Sequence, residues 1–376
     1  MSAHLEGELA SLDARLLARL SARGFDAARL SAWAASLGGD PSAKNRLRGQ
    51  LEPLAEGELA ALPPEGSAAH PELAANGRAA LERGQVALAV LAGGMATRMG
   101  GVVKALVEAI DGVSFLDLRA AELAVLAERH GAAPPMWLMT SEATHAPICA
   151  ALEGRPDRER LAAFEQCVSL RLSPEGALFR SDGDVSPYAT GHGDLPDALR
   201  KSGLLAEFLA RGGRWVWISN LDNLGASVDP AILGHHIASG AEVTAELVPK
   251  HPGDVGGGPV RCDGRAIIAE HLRLPPDFPH HRVPVFNTNT FLVDARALFE
   301  LTMSFTFVEV RKTVGGSVAV QFERLLGEIT TALTTNMLRV PRQGDKSRFI
   351  PAKSREDLVV IADDVKRIAR ERRLLG

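Results

Sequence analysis

The sequence predicts an α/β protein organised around a mostly parallel β-sheet. Three short, strongly apolar runs, Val86–Ala92, Met136–Met139 and Trp215–Ile218, suit strands that are buried on both faces. Segments with helical spacing or helix caps lie between these runs, and such alternation is typical of a parallel sheet covered by helices. Ligands of these sheets bind beyond the carboxyl ends of the strands, which is where a site is expected.

The composition excludes several classes of protein. Of the 376 residues, 46% are hydrophobic and 23% are charged, which supplies a large core and is unlike a disordered chain. The 42 basic and 46 acidic residues give a net charge of −4, so no general surface for nucleic acid is expected. Cys149, Cys167 and Cys262 form no CxxC pair, which argues against a disulfide framework or a structural zinc site.

The sequence also predicts a cytoplasmic protein that makes no membrane contact. Its first residues, MSAHLEGELA, lack the basic and then apolar pattern of a secretion signal. The apolar run Val86–Ala92 is far too short to span a bilayer.

Residues 1–84 are predicted to form a helical region. Leu5, Leu9 and Leu12 recur at three- and four-residue spacing, which starts an apolar stripe, and the sequence GGDP at 38–41 ends the pattern. We interpret this region as a helical cap packed on the main domain. A dimerisation arm is the alternative.

The remaining elements are predicted in chain order from local patterns. Helices are expected to begin at Ser114 and Ser354, because the spacing of each serine to Asp117 or Asp357 resembles a capping box. The other predicted elements are a helix over Asp197–Arg211, a helix over Ala231–Ser239, a strand over Glu242–Val248, an extended segment over Val283–Val293 and a helix capped by Asp294.

The first candidate site follows the strand that ends at Leu91 and Ala92. Gly93 and Gly94 allow the backbone to approach a phosphate or a base edge closely, and Arg98 and Lys104 add positive charge. The spacing is neither GxGxxG nor that of a P-loop. Taken alone, the glycines would equally suit a tight strand-to-helix connection.

Two further strand ends or helix starts carry charged residues. Asp222, which lies between Asn220 and Asn223, could hold Mg²⁺ beside a phosphate or could cap a turn. Lys353 lies just before a predicted helix N-terminus, a position that favours anions, although a solvated surface lysine is the alternative.

Seven motifs along the chain occur in an order that indicates a family. They are LAGGMATRMGG (91–101), MTSEATH (139–145), FEQCVSL (164–170), GHGDLPDAL (191–199), SNLDNLGASVD (219–229), FNTNTFLV (286–293) and RFIPAKSREDL (348–358). With these motifs the chain resembles, over about residues 86–361, the UDP-sugar pyrophosphorylases, nucleotidyltransferases that include UTP–glucose-1-phosphate uridylyltransferase and UDP-N-acetylhexosamine pyrophosphorylase. GHGD and SNLDNLGA favour the glucose branch, whereas LAGGMATR is more similar to the hexosamine branch.

The resemblance implies a fold, a domain organisation and a reaction. The fold would be a Rossmann-like, glycosyltransferase-A-like nucleotidyltransferase with a mixed sheet flanked by helices. The catalytic domain would cover 85–340, and 341–376 would form a short C-terminal segment with the lysine motif and a final helix, without the β-helical domain of many glucose-type members. The reaction would be attack of a sugar 1-phosphate, glucose 1-phosphate foremost, on the α-phosphorus of UTP, with release of pyrophosphate and a requirement for Mg²⁺.

The resemblance also implies a role for individual residues. Arg98, Lys104 and Lys353 would be catalytic, Asp222 would bind the metal, and Glu323 would lie near an acidic position of the family. His192 has an alternative role as a loop histidine bonded to backbone, and Glu270 has one in a structural salt bridge. The nucleotide-binding residues would be Leu91, Ala92, Gly93, Gly94, Gln166 and Gly191, and the sugar-phosphate contacts would be His192, Asn220, Asn289 and Glu270.

Three departures from the family pattern leave other functions open. Val103 stands where the family has proline before its lysine, the nucleotide loop is one residue shorter, and the segment 250–258 matches only loosely. The alternatives are a catalytically impaired regulatory protein that binds a nucleotide sugar, and a related nucleotidyltransferase for another sugar or nucleotide. A nicotinamide-dependent oxidoreductase is disfavoured because GxGxxG is absent. We expect UTP and a sugar 1-phosphate as partners, and a monomer or a small homo-oligomer.

Overall fold

A computed structural model describes residues 2–96, 101–254 and 256–374 of the chain. Its α-helices are α1 (Ser2–Ala10), α2 (Ala14–Ala22), α3 (Ala27–Ser36), α4 (Pro41–Asn45), α5 (Ala69–Glu82), α6 (Phe115–His130), α7 (Glu142–Leu152), α8 (Leu195–Ser202), α9 (Leu204–Ala210), α10 (Pro230–Ser239), α11 (Ala295–Glu300) and α12 (Arg355–Glu371). Its strands are β1 (Leu51–Pro53), β2 (Ala60–Ala61), β3 (Val86–Leu91), β4 (Met95–Ala96), β5 (Val102–Val103), β6 (Glu108–Ile110), β7 (Val113–Ser114), β8 (Met136–Thr140), β9 (Leu161–Glu165), β10 (Val168–Leu170), β11 (Arg180–Ser181), β12 (Asp184–Val185), β13 (Pro187–Ala189), β14 (Trp215–Asn220), β15 (Val243–Pro249), β16 (Gly258–Cys262), β17 (Arg265–Ala269), β18 (Val285–Asp294), β19 (Val308–Val314), β20 (Ser317–Glu323) and β21 (Thr335–Arg339).

The centre of the fold is an eight-stranded mixed sheet in the order β2-β21-β15-β18-β14-β3-β8-β9. Strand β18 is antiparallel to both of its neighbours, β14 and β15, and the other pairings in this sheet are parallel. The predicted α/β class with a mixed, mostly parallel sheet is therefore confirmed. Since β3, β8, β9 and β14 run in one direction, their carboxyl ends meet at one edge.

Helices cover both faces of this sheet, and side chains alternate between the two layers. Leu88 and Trp217 face a core that includes Leu123 of α6. Ala89 and Ile218 face the opposite core. The first core also takes residues from α5, α10 and α12, and the second takes them from α8, α9 and α11. The strands are buried on both faces, which explains why they are continuous apolar runs in the sequence.

The first part of the chain is helical only in part. Helices α1–α3 pack on β10 and β20 through a shared apolar cluster. Residues 46–68 instead contribute short strands, since β1 pairs with β16 and β2 forms one edge of the main sheet. The helical prediction therefore missed two strands, which are too short to show a period in the sequence.

One predicted helix, over Asp197–Arg211, is wrong because the segment forms two helices. The segment Asp197–Arg211 is split, because Gly203 has φ = +79° and ends α8 before α9 begins. The predicted caps are confirmed: Ser114 and Ser354 each form a capping box, and the Asp294 side chain accepts the Ala297 N–H at 2.8 Å. Within the described residues, no helix combines the length and the apolar character that crossing a membrane requires.

Candidate active site

A cavity of about 330 Å³ opens at the carboxyl ends of β3, β8 and β14. It brings together residues that are far apart in the sequence, from the glycine loop to the segment after β14. Most of the predicted nucleotide and metal residues line it. The lining residues are Leu91, Ala92, Gly93, Gly94, Met95, Lys104, Met139, Gln166, His192, Asn220, Leu221 and Asp222.

The glycine loop forms one wall of the cavity. The Ala92 N–H donates to the Met139 carbonyl at 2.8 Å, which fixes the end of β3 against β8. A Cβ on Gly93 would overlap Nε2 of Gln166, so a side chain at this position would displace that amide. Gly94 is exposed and has open space around its Cα, so its backbone is accessible to a ligand. The neighbouring Arg98 lies outside the described residues.

Gln166 lies directly after β9 and faces this loop. Its backbone N–H donates to the Thr140 carbonyl at 2.9 Å, and the residue is only 7% exposed. The primary amide offers both donors and an acceptor. A buried amide at this position can therefore recognise the hydrogen-bonding edge of a base.

Lys104 and Asp222 form a direct ion pair inside the cavity. Both side chains are largely buried, at 14% and 19% exposure. Lys104 therefore lies in the cavity even though Val103 replaces the family's proline and the loop is shorter. Asp222 is the one carboxylate among the residues that line the cavity in the described part of the chain.

The Asp222 loop is fixed by a buried arginine that the sequence analysis missed. The Arg119 guanidinium donates to the carbonyls of Asn220 at 3.0 Å and of Asn223 and Ala226 at 2.5 Å each. Because loop carbonyls that have lost water need donors, the guanidinium holds this turn in one conformation. The only signal in the sequence is an arginine on the apolar face of α6.

The C-terminal lysine motif is joined to the same loop. The Ala352 N–H donates to the Asp222 carbonyl at 3.2 Å, and Pro351 forms a β-bridge with Asn223. Lys353 therefore begins beside the cavity. Its N–H donates to Asp357 at 2.7 Å, and its exposed ammonium has no ion pair among the described residues.

His192 lines the cavity and is bonded to the backbone. The Leu326 N–H donates to His192 Nδ1 at 2.9 Å, which is the backbone contact of a loop histidine. Since a backbone amide can only donate, the neutral ring carries its proton on Nε2, a donor available to the cavity. Burial lowers the pKa of His192, which favours this neutral form. Gly191, at φ = +102°, produces the turn beneath the ring.

Asn289 is not among the residues that line the cavity, but it contacts Asn220, which is, from an irregular part of β18. The pairing of β15 with β18 shifts between Ala245 and Leu247, and Asn289 has φ = +57°. Its Nδ2 donates to Asn220 Oδ1 at 2.9 Å, whereas its own Oδ1 is buried without a partner among the described residues. Such an unsatisfied acceptor is suited to a ligand hydroxyl.

The two acidic candidates lie elsewhere. Glu270 packs against Gly257 and lines a separate small space with Arg273 and Glu328. Burial raises the pKa of Glu270. Glu323 accepts a hydrogen bond from Lys312 at 2.7 Å. Neither acid is among the residues that line the cavity.

Together, the mixed sheet and a cavity lined by a glycine loop, a buried glutamine amide and a lysine–aspartate pair are features of a nucleotidyltransferase-like fold. A sequence model described as UTP–glucose-1-phosphate uridylyltransferase matches residues 48–374. The chain belongs to this family.

Individual relatives agree with this assignment. The chain is 30% identical over 292 residues to the UTP–glucose-1-phosphate uridylyltransferase of Hordeum vulgare, covering 73% of this chain and 61% of the relative. It is 31% identical over 305 residues to that of Saccharomyces cerevisiae, covering 76% of this chain and 60% of the relative. The chain thus spans about three fifths of the length of these relatives.

Solved structures show the same fold. The UDP-glucose phosphorylase of Trypanosoma brucei superposes with a TM-score of 0.74 at 22% identity, covering 91% of this chain and 76% of that one. A putative UDP-N-acetylglucosamine pyrophosphorylase from Entamoeba histolytica gives a TM-score of 0.69 at 18% identity, with coverage of 80% and 85%.

Proposed function

We propose that the protein transfers UMP from UTP to a sugar 1-phosphate, with glucose 1-phosphate as the sugar substrate and pyrophosphate as the leaving group. The observation that carries this proposal is the single cavity that joins Gln166, the Gly93–Gly94 loop and the Lys104–Asp222 pair. Family membership and relatives named for this activity support the same reaction.

The proposed chemistry needs positioning and charge neutralisation rather than a covalent intermediate. Attack of one phosphate oxygen on another phosphorus is slow mainly because anions must approach in line. In our proposal Gln166 contacts the uracil, and the glycine-loop amides approach the triphosphate. Lys104, Arg98 and Lys353 offset the charge that develops on the phosphates.

The sugar phosphate is proposed to bind on the side of His192, Asn220 and Asn289. The neutral His192 ring would donate from Nε2, and the free Asn289 Oδ1 would accept from a hydroxyl. The bond from Asn289 Nδ2 to Asn220 Oδ1 fixes the orientation of both amides. Glu270 would contribute only through a rearrangement, since it lies outside the cavity.

Mg²⁺ is proposed to bind at Asp222. The described residues contain no cluster of three acidic, histidine or cysteine ligands, but Mg²⁺ commonly uses one or two carboxylates with phosphate oxygens and water. Asp222 offers one such carboxylate beside the proposed triphosphate site, so the residues fit an ion that arrives with the nucleotide. When bound, the ion would neutralise phosphate charge. Lys104, its present partner, would then be free to contact phosphate.

The test is pyrophosphate release from UTP, Mg²⁺ and a panel of sugar 1-phosphates. We expect release with glucose 1-phosphate to exceed release with the other sugars. Release with another sugar 1-phosphate but not with glucose 1-phosphate would change the proposed sugar substrate. No release with any sugar, together with UTP binding by calorimetry, would contradict catalysis and favour a regulatory protein.

A cytoplasmic location and a monomer or small homo-oligomer stay predictions.

A further inference from the structure

The N-terminal helices contact the segment that carries Gln166. The turn between α2 and α3 lies on residues 165–168. The Val168 N–H donates to the Arg23 carbonyl at 3.0 Å, and a Cβ on Gly24 would lie 3.1 Å from Cys167 Sγ. The family match begins at residue 48, so these contacts come from a part of the chain that lies before it.

The Arg23 side chain joins two elements that border Gln166. Its Nε donates to Glu165 Oε1 at 2.9 Å, and its Nη1 lies 3.9 Å from Glu142 Oε1. Glu165 directly precedes Gln166, and Glu142 begins α7 at the end of β8. All three side chains are about three-quarters buried, so solvent screens these contacts less than at an open surface. Arg23 is thus the cation that both carboxylates share.

The rest of the segment is held by the main domain. The Cys167 N–H donates to Asp194 Oδ2 at 2.9 Å, and the Thr190 N–H donates to the Cys167 carbonyl at 3.0 Å. The backbone is therefore bonded to the main domain at Gln166 and Cys167 and to the N-terminal turn at Val168. The Arg23 side chain adds its contacts with Glu165 and Glu142 to these backbone bonds.

We propose that Arg23 is a positioning residue for base recognition, which it supports by holding the Gln166 segment. This inference rests on the proposed uridylyl transfer and deepens it. An amide that is free to rotate can present either its donor or its acceptor, and so can satisfy uracil or cytosine. A fixed backbone and the close approach to Gly93 restrict that rotation. The N-terminal helices would thereby contribute to selecting UTP over CTP.

The test is a double-mutant cycle between Arg23→Met and Gln166→Ala, measured by pyrophosphate release with UTP and with CTP. Methionine removes the charge and keeps most of the aliphatic volume. We expect Arg23→Met to raise KM for UTP about 3- to 10-fold with little change in kcat, and to lower the UTP preference similarly. In the Gln166→Ala background the same substitution should have no further effect, because it acts through Gln166.

Two controls separate positioning from a general loss of stability. Arg23→Lys keeps a charge for Glu165 and should recover most of the UTP preference. Arg19→Met changes an exposed arginine one turn earlier in α2 and should leave KM unchanged. An equal effect of Arg23→Met in both backgrounds, or an unchanged UTP preference, would overturn the inference.

The inference and the proposed function can fail separately. Absence of pyrophosphate release by the wild-type protein contradicts the function alone. Amide hydrogen exchange tests the positioning without activity: residues 165–168 should lose protection in Arg23→Met but not in Arg19→Met. Unchanged protection in Arg23→Met would overturn the role of Arg23 even in an active enzyme.

Discussion

At the scale of single residues, the cavity depends on one lysine–carboxylate contact. Lys104 and Asp222 are 118 positions apart, and each neutralises the other in a site that is mostly closed to water. A partly buried charge without its partner is costly. Replacing either residue would leave the other charge unpaired in the cavity, so both positions are sensitive to substitution.

The first prediction concerns the metal. Asp222→Asn keeps the shape of the side chain and removes its charge, so Mg²⁺-dependent turnover should fall about 10²-fold or more. Turnover measured over a series of Mg²⁺ concentrations checks this. The matched control is Asp277→Asn, an exposed aspartate outside the cavity, which should retain wild-type rates. Wild-type Mg²⁺ dependence in Asp222→Asn would remove Asp222 from the metal site.

The second prediction concerns a buried histidine in α10. His236 bonds Thr244 Oγ1 at 2.8 Å, and burial lowers its pKa from 6.5 to about 4. Between these values the unfolded chain binds more protons than the folded one, so stability is present above pH 6.5 and is lost as the pH falls towards 4. When fully present, this contribution of His236 to the free energy of unfolding is about 3 kcal/mol.

Urea denaturation at several pH values checks this effect. The comparison is with His236→Gln, which retains a polar side chain but does not titrate. The difference in unfolding free energy between the two proteins should shrink as the pH falls from 6.5 to 4. A difference that is constant with pH would contradict the depressed pKa.

At the scale of elements, two helices on one face of the sheet approach backbone to backbone. Gly77 of α5 lies against the Pro230 carbonyl, and Gly234 of α10 lies against the Leu73 carbonyl. No Cβ fits at either glycine without a shift of the helices. The two glycines thus set the spacing of this helix pair, which packs on the sheet beside β3 and β14.

The third prediction follows from this contact. Gly77→Ala should destabilise the protein by about 1–3 kcal/mol, since the overlap is with backbone and cannot be relieved by a rotamer change. Gly7→Ala in α1 is the matched control, because a Cβ there meets nothing within 4 Å. The control should stabilise the protein by about 0.5–1 kcal/mol. Urea titrations followed by circular dichroism measure both values, and equal effects would contradict the argument.

Local patterns predicted most elements because their causes are local. The apolar runs of β3, β8 and β14 and the capping boxes of α6 and α12 depend on neighbouring residues only. The break at Gly203 was missed because glycine within a helical pattern does not by itself end a helix. Local patterns also do not predict that β18 runs antiparallel to its neighbours or that the backbone turns at Asn289. Strand direction and bulges depend on partner strands that the sequence does not reveal.

At the scale of the whole molecule, the site assembles where parallel strands end together. Separate motifs predict residues 91–94, Gln166, His192, Asn220 and Asp222, and the common edge of the sheet brings them into one cavity. Arg119 and Arg23 could not be found in this way, because their partners are backbone carbonyls and acids on distant elements. Glu270 lies outside the cavity. Local patterns do not predict this, because the path of residues 250–254 and 256–284 depends on tertiary packing.

The last prediction is that the N-terminal helices unfold together with the main sheet. Leu30 of α3 is fully buried in a cluster with Val168, Val320 and Phe322, and Trp33 stacks on Phe322 with ring centroids 4.9 Å apart. This cluster joins the helices to β10, which follows β9 of the main sheet along the chain, and to β20, so detaching the helices would expose both strands. Leu30→Ala should therefore cost about 2–5 kcal/mol and shift one common transition.

Urea unfolding followed by tryptophan fluorescence and by circular dichroism checks this cooperativity. Both signals should move together in the wild-type protein and in Leu30→Ala. Val359→Ala, at an α12 position that is 78% exposed, is the control and should leave the midpoint nearly unchanged. An early transition confined to part of the fluorescence change in Leu30→Ala would indicate that the helices detach first. In that case they would be an accessory cap, and base recognition through Arg23 would depend on whether that cap is docked.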